Sequence, residues 1–326
     1  MTSSNSSVVF LFPGQGSQAV GMGKELADNY PVARQTFEEA DEALGYPLSQ
    51  VCFEGPEEKL KLTEITQPAI LTASVAAWRV LQEKGLKPDF FSNEVADYVA
   101  GHSLGEYSAH VAAGTLTFAD AVRTVRNRGR YMQEAVPVGV GAMAAILGMP
   151  AEKVTGIAAD AAQGEVCQAA NINSPEQIVI SGNAGAVERA IKLAHERGAK
   201  KAVNLPVSAP FHCALMQPAQ DRLAEDLRML PFQNPTCAVV CNVDAAAVAT
   251  AEASCAALVR QVTGTVRWEP SVRLLIEKGA SLFIEVGPGK VLWGLMRQID
   301  RSKTCVTVGD EASLQKTLVQ VAATAA

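Results

Sequence analysis

The types and spacing of one serine and four histidines limit where this chain can do covalent chemistry. Gly101-His102-Ser103-Leu104-Gly105 has the form G-x-S-x-G. It follows the brief apolar stretch Tyr98-Val99-Ala100 and precedes a helical pattern from Leu104 to about Ala113, closed by Gly114. In that setting a sharp strand-to-helix turn pushes the Ser103 hydroxyl out over a sheet, and the flanking glycines let the backbone pass without a clash. The helix N-terminus adds unpaired N–H groups and a positive dipole end, which suit a developing oxyanion. Alone, the pentapeptide recurs by chance as a glycine-rich turn. The strand before it and the helix after it make Ser103 a candidate nucleophile, and the chemistry implied is acyl transfer through a serine ester.

A serine needs a base, and the histidines can be taken by elimination. His102 adjoins Ser103 and is expected to point to the other side of the turn. His110 lies seven residues down the following helix, about 10 Å along its axis. His195 sits among charged neighbours in the amphipathic stretch Ala184–Glu196 and reads as a solvated face. His212, in Ser208-Ala209-Pro210-Phe211-His212-Cys213, falls on a loop between a strand and a helix, where active-site residues of open sheets gather. It is the best base by position, against the plainer reading of a loop histidine satisfied by backbone. No carboxylate is clearly placed to orient it, since Glu106 is locked into the helix after the serine. A backbone carbonyl then serves as the orienting acceptor, making a dyad.

Two further features could bind charge. The helical stretch 117–135, opened by Thr117 and Asp120 in capping-box spacing, carries four arginines. At about 100° per residue, Phe118, Ala121, Val122, Val125 and Met132 share one apolar arc, while Arg123, Arg126 and Arg130 gather opposite as a solvated face. Arg128 stands alone at the edge of the apolar arc, where a partly desolvated guanidinium wants an anion. It suits either a bound carboxylate or a structural salt bridge. The loop Pro13-Gly14-Gln15-Gly16-Ser17-Gln18 also has two readings. Gly14-x-Gly16-x-x-Ala19 imitates a dinucleotide fingerprint, with Glu38 or Glu39 roughly 20 residues on. Alternatively it is a tight turn whose N–H groups complete an oxyanion hole. Gly287-Pro288-Gly289-Lys290 lacks P-loop spacing and reads as a strand-to-helix turn.

These residues must be positioned by an alternating α/β framework. Val8–Phe12 is an apolar run closed by Pro13-Gly14, expected as a buried strand, with helical patterns at 21–30 and 31–44. A longer helix is expected from about Thr66-Gln67-Pro68, with Pro68 in its first turn, and Phe90–Asp97 reads as a loop. Beyond Pro137 the order becomes strand 142–147, helix 151–162, strands 166–171 and 177–181, helix 184–196 and strand 201–207. That β-α-β-β-α-β unit is ferredoxin-like. The main alternation then resumes with a strand at 239–240, helices at 251–262 and 269–278, a strand at 282–286 and a helix at 290–299. The fold class is therefore α/β: a hydrolase-like parallel-sheet core over 1–137 and 209–326, with the ferredoxin-like subdomain inserted at 138–208.

Composition narrows the function classes. With 326 residues, 48% of them apolar, the chain can bury a sizeable core. A net charge of −6 argues against binding nucleic acid or an anionic membrane. Seven cysteines show neither C-x-x-C pairs nor Cys/His ligand groupings, so no metal site is expected and the thiols read as reduced. No run approaches the roughly 20 apolar residues of a membrane span, and the Ser-rich start is not a signal peptide. A cytoplasmic protein is expected, and nothing in the sequence demands more than a monomer.

Taken in order, Phe12-Pro13-Gly14-Gln15-Gly16-Ser17-Gln18, Thr66-Gln67-Pro68-Ala69, Gly101-His102-Ser103-Leu104-Gly105-Glu106-Tyr107, Arg128-Gly129, Asn171-x-Asn173-Ser174-Pro175, Phe211-His212, Asn242-Val243, Arg260-Gln261-Val262, Val266-Arg267-Trp268 and Glu285-Val286-Gly287-Pro288-Gly289 resemble the malonyl-CoA:acyl-carrier-protein transacylase family nearly end to end. The resemblance implies Ser103 as nucleophile, His212 as base and the main-chain carbonyl of Gln261 as its orienting acceptor. It further implies an oxyanion hole from the N–H groups of Gln15 and Leu104, and Arg128 on the malonyl carboxylate. Asn171, Asn173 and Phe211 are the implied substrate neighbours, Phe211 being bulky where a methylmalonyl branch would go. The family works by ping-pong transfer from malonyl-CoA to the phosphopantetheine thiol of an acidic acyl carrier protein, with no bound cofactor. Lys290 and Arg297, or Lys200 and Lys201, are candidates for docking that partner. Two departures stand out, a longer 90–97 segment and Gly264-Thr265 at a turn where relatives often carry Asn-Pro or Ser-Pro. The competing readings are a serine hydrolase with the same turn, a non-catalytic carrier-protein-binding module, and a nucleotide-binding oxidoreductase.

Overall fold

The computed structural model describes residues 7–86, 98–207 and 209–325. The loop expected at 90–97 and Ser208 lie outside the described residues. The strands are β1 (Ser7–Phe12), β2 (Tyr98–Gly101), β3 (Gly141–Leu147), β4 (Cys167–Ser174), β5 (Gln177–Asn183), β6 (Lys201–Asn204), β7 (Ala238–Cys241), β8 (Ala246–Val248), β9 (Ala280–Val286) and β10 (Thr304–Val308). The helices up to the second sheet are α1 (Lys24–Asn29), α2 (Pro31–Leu44), α3 (Leu48–Glu54), α4 (Glu57–Leu60), α5 (Thr63–Glu83), α6 (Gly105–Ala112) and α7 (Phe118–Glu134). Those after it are α8 (Ala151–Ala162), α9 (Ala184–Glu196), α10 (Gln217–Arg228), α11 (Ala251–Gln261), α12 (Trp268–Glu277), α13 (Val291–Ile299) and α14 (Glu311–Ala325).

The larger sheet has the order β10-β9-β1-β2-β7-β8, parallel throughout except for the antiparallel edge strand β8. The central strand β1 shows why its sequence is an unbroken apolar run: both faces are covered. Val8, Phe10 and Phe12 point into a core with Trp78 of α5, the Phe10 and Trp78 rings lying 4.9 Å apart edge to face. Val9 and Leu11 point into a second core with Trp268, Val272 and Leu295 from α12 and α13.

The smaller sheet is antiparallel with the order β4-β5-β3-β6. Alternation along β3 and β5 divides its two faces. Ala144, Ile146, Ile178 and Ile180 pack under α8 and α9, while Met143, Ala145 and Val179 join the main core. Backbone hydrogen bonds from Ile172 N to Val266 O and from Val266 N to Ala170 O, 2.9 and 2.8 Å, tie β4 to the segment before α12.

Two of the expected boundaries move for local reasons. Helix α5 starts at Thr63, because the Thr66 N–H already donates to Leu62 O at 2.7 Å; Pro68 therefore lies inside the helix and removes one hydrogen bond there. Strand β6 ends at Asn204 rather than Val207, since Pro206 cannot donate to a ladder. The short elements α3, α4, β8 and β10 lack enough residues to show a period in sequence and are not among the expected elements; nor is the 15-residue α14.

The register brings the site together. Phe12 pairs with Gly101 and Ala100 with Val240, so the loops leaving β1, β2 and β7 emerge side by side at the carboxyl ends of adjacent parallel strands. Ligands bind at that edge in open α/β sheets.

Candidate active site

The turn between β2 and α6 is built by exclusion of side chains. A Cβ on Gly101 would collide with Gly105 O, one on Gly105 with Phe12 O, and one on Gly14 with His102 O. These glycines let the turn close on itself and lie against the end of β1. The closure leaves Ser103 at φ +51°, left-handed backbone that costs a non-glycine residue of order 1–3 kcal/mol. Asn242, just past β7, holds it there. Its Oδ1 accepts from Ser103 N at 2.6 Å and its Nδ2 donates to Gly101 O at 2.7 Å. As the N-cap of α6, Leu104 presents an N–H with no acceptor inside the helix.

His212 also has left-handed backbone, φ +58°, and is buried. Its Nδ1 lies 2.9 Å from the main-chain oxygen of Gln261, at the end of α11, and its Nε2 lies 2.7 Å from Ser103 Oγ. A carbonyl can only accept, so the proton sits on Nδ1 and Nε2 is left to take the serine O–H. Burial, and then the Arg128 charge, push this imidazole down to about 3, which keeps it neutral. A hydroxyl donating to a neutral imidazole held by its other nitrogen has the geometry a nucleophile–base pair requires.

Arg128 projects from α7 and is only 2% exposed. Its Nη1 donates to Gln67 Oε1 at 2.8 Å; Nη2 donates to Gln261 Oε1 at 3.0 Å and to Ser103 Oγ at 3.1 Å. The guanidinium lies 5.7 Å over the Tyr107 ring. All its hydrogen-bond acceptors are neutral, and among the described residues no carboxylate lies within ion-pair distance of it. The salt-bridge reading of Arg128 therefore fails, and a buried positive charge faces the Ser103 hydroxyl. The other arginines of α7 are structural: Arg123 and Arg130 pair with Asp120 and Glu134, and Arg126 covers the Tyr46 ring.

The remaining expected residues fall into two groups. Gln15 is exposed on the loop after β1, in a turn closed by Ser17 Oγ and N donating to Gly14 O. Gly16 N is occupied by Gln18 Oε1 at 2.7 Å, and no helix opens until Lys24, so the dinucleotide-fingerprint reading fails for want of a helix N-terminus at the glycines. Asn173 Oδ1 meets His102 Nε2 at 2.8 Å, and the His102 ring packs on Trp268. Asn171 and Phe211 are buried nearby, but among the described residues no hydrogen bond joins either to Ser103, His212 or Arg128.

Several polar residues without an assigned role belong to this cluster: Gln67, Asn242, Glu106 and the side chain of Gln261. Their signal was a polar residue inside a buried apolar stretch, as with Gln67 in α5. Glu106 is fully buried, and burial pushes its carboxyl up to about 7 against the pull of hydrogen bonds from Gln261 and Asn242. His195 is exposed, as expected.

His110, fully buried in α6, has no partner on either ring nitrogen among the described residues, and burial lowers it to about 3. Between its unfolded value near 6.5 and about 3, the unfolded chain binds a proton that the folded chain refuses, so stability falls as pH falls. His110→Leu should remove that contribution, up to about 1.4 kcal/mol per pH unit in the window. Denaturation midpoints measured from pH 7 to 4 should show a flatter acid slope in the variant; an unchanged slope would mean His110 is not held neutral.

A serine turn at the edge of a parallel sheet, with a neutral imidazole and a buried guanidinium converging on the hydroxyl, is the site of an acyl-transferring enzyme. A family described as the acyl transferase domain matches residues 9–323. The malonyl CoA-acyl carrier protein transacylase of Salmonella typhimurium is 49% identical over 95% of this chain and 98% of its own length. An acyl carrier protein S-malonyltransferase structure from Vibrio cholerae superposes with a TM-score of 0.91 at 49% identity, covering 96% of this chain and 100% of that one. A malonyl-transacylase solved in complex with a type II PKS acyl-carrier protein gives 0.92 at 47% identity, over 97% and 100%. The chain belongs to the malonyl CoA-acyl carrier protein transacylase family.

Proposed function

We propose that this protein transfers the malonyl group from malonyl-CoA to the phosphopantetheine thiol of an acyl carrier protein, through a malonyl ester on Ser103. The observation that carries the reading is the buried Arg128 guanidinium, without an ion-pair partner among the described residues and 3.1 Å from the Ser103 Oγ that also meets His212. An acyl group on Ser103 that ends in a carboxylate would bring an anion to that charge.

In the first half-reaction Ser103 Oγ attacks the thioester carbonyl while His212 Nε2 takes the hydroxyl proton, and Gln261 O steadies the imidazolium through Nδ1–H. The oxyanion is held by the N–H groups of Leu104 and Gln15. Collapse expels coenzyme A, whose sulfur takes the proton from Nε2. In the second half-reaction the carrier thiol gives its proton to His212 and attacks the ester, and Ser103 leaves with that proton returned. The balance closes with no cofactor. Arg128 forms a bidentate pair with the malonyl carboxylate, and Phe211, Asn171 and Asn173 shape the acyl and pantetheine side of the cleft.

The strand orders support a hydrolase-like core over 1–137 and 209–326 with a ferredoxin-like insert at 138–208. In the insert, chain order 1-2-3-4 becomes sheet order 2-3-1-4, with both helices on one face. All seven cysteines are free, in keeping with a reducing cytoplasm, and among the described residues no helix is long and apolar enough to cross a membrane. The enzyme acts as a monomer on small-molecule and protein substrates, not on nucleic acid or membrane.

Docking of an acidic carrier protein is assigned to the α13 side of the cleft. Lys290 precedes α13, next to Gly289, where an added Cβ would lie 3.3 Å from Ser17 of the Gln15 loop; Arg297 stacks over Trp293 at 4.9 Å. Lys200 already pairs with Glu176 at 2.7 Å, which weakens its claim, and Lys201 is exposed. Reversing charge at Lys290 and Arg297 together should raise KM for carrier protein about tenfold while acylation by malonyl-CoA is unchanged. Equal loss of both half-reactions would remove this surface from the reading.

A further inference from the structure

The mechanism above uses only the main-chain oxygen of Gln261, yet its side chain is the most connected amide in the site. Its Oε1 accepts from Arg128 Nη2 at 3.0 Å, and its Nε2 donates to Ser103 O at 2.9 Å and to Glu106 Oε2 at 2.7 Å. An amide has one accepting and one donating end, and its terminal torsion is roughly two-fold, so the two orientations are sterically similar. What separates them is the identity of the neighbours. In the observed orientation every contact pairs a donor with an acceptor. Rotated by half a turn, the NH2 group would face the guanidinium, which can only donate, and the carbonyl would face two oxygens that serve as acceptors, Ser103 O and the Glu106 Oε2 that already accepts from Asn242 N.

Glu106 is the strong acceptor in that arrangement. It is fully buried in the first turn of α6, and the same Oε2 also accepts from Asn242 N at 2.9 Å, so it is fixed from the strand that clamps the serine turn. Among the described residues no other side chain supplies an acceptor to Gln261 Nε2; the second acceptor is the backbone of Ser103 itself.

We infer that Glu106 is a positioning residue for acyl-group selection: by accepting from Gln261 Nε2 it sets the amide so that Gln261 Oε1 holds the Arg128 guanidinium in place to meet the substrate carboxylate. The inference rests on the malonyl-transfer reading. It acts through Gln261 and Arg128 and touches no reacting atom. Because the main-chain oxygen of Gln261 stays in α11 whichever way its side chain turns, loss of Glu106 should affect recognition of the carboxylate more than the Ser103–His212 pair. The required property is a hydrogen-bond acceptor at the Oε2 position, which a glutamine oxygen also supplies.

The test is single-turnover acylation by malonyl-CoA and by acetyl-CoA, followed by intact mass, for the unaltered protein, Glu106→Ala and Glu106→Gln. Glu106→Ala should lower the malonyl-to-acetyl ratio about tenfold or more, mainly through a higher KM for malonyl-CoA, the scale of one hydrogen bond to a charged group. Glu106→Gln should keep the ratio within about threefold of the unaltered protein, well under the same hydrogen-bond scale. A ratio unchanged in Glu106→Ala, even with both rates reduced, would reduce Glu106 to a structural residue and overturn the inference. A ratio that falls as far in Glu106→Gln as in Glu106→Ala would overturn it in favour of a pure charge effect. If Glu106→Ala does not fold, Gln261→Met removes the amide from the other end; the same fall in ratio is expected, and an unchanged ratio overturns the inference. Failure of the unaltered protein to take up malonyl at all would instead strike the malonyl-transfer reading.

Discussion

Ser103→Ala should form no acyl adduct with malonyl-CoA, where the unaltered protein gains one malonyl group. The substitution removes only Oγ. The backbone that holds position 103 at φ +51° is fixed by Asn242 and by the glycines on either side, and alanine keeps the same Cβ, so the fold should be retained. The loss is therefore chemical, on the order of 10³-fold or more in transfer to carrier protein, as expected when one member of a nucleophile–base unit is removed. Intact mass after mixing with malonyl-CoA reads the adduct, and thermal denaturation checks the fold. An adduct that persists in Ser103→Ala would move the nucleophile elsewhere. Free malonate accumulating with the unaltered protein, without transfer, would make the enzyme a hydrolase.

Arg128→Ala should reverse acyl preference. With the guanidinium present, acetyl leaves a buried charge facing no anion, whereas malonyl meets it with a carboxylate. Sites built around a buried polar pairing reject a substrate lacking the partner by about 10⁴-fold. Removing the guanidinium leaves the malonyl carboxylate as the unpaired group and should turn the preference toward acetyl. The substitution also strands Gln67 Oε1 and Gln261 Oε1, each a buried acceptor, at a cost of about 1–3 kcal/mol apiece. The midpoint of denaturation should fall accordingly. Relative acylation by malonyl-CoA and acetyl-CoA is internally controlled against that loss. A preference unchanged in Arg128→Ala would mean that another group recognises the carboxylate.

Much of the site could be read from the chain because it depends on local covalent geometry. The glycines at 101 and 105 flank the serine at the spacing a strand-to-helix turn requires, and the structure shows each would clash if it carried a Cβ. His212 followed from having only four histidines, and Arg128 from its angular place on α7. The elements were legible for the same reason, since period-2 and period-3.6 patterns are properties of the strand or helix itself. Where a neighbour decided, the sequence misled: α5 begins early because Leu62 O captures Thr66 N, and the Gly14-Gln15-Gly16 loop imitates a nucleotide fingerprint without a helix to complete it.

By itself, then, the sequence determined the α/β alternation, the β-α-β-β-α-β order of the antiparallel unit, the serine turn and the histidine that meet at 2.7 Å, and the arginine that stands apart from its helix's basic face. Each is set by residue type and by spacing along one element. Only the tertiary structure decided what each buried polar atom pairs with. Gln67, Asn242, Glu106 and Gln261 come from α5, the end of β7, α6 and α11, up to 194 residues apart from Gln67 to Gln261, and they meet because parallel strands end at one edge. Hydrogen bonds between such positions depend on sub-ångström distance and on donor–acceptor polarity across elements, which no period along the chain encodes.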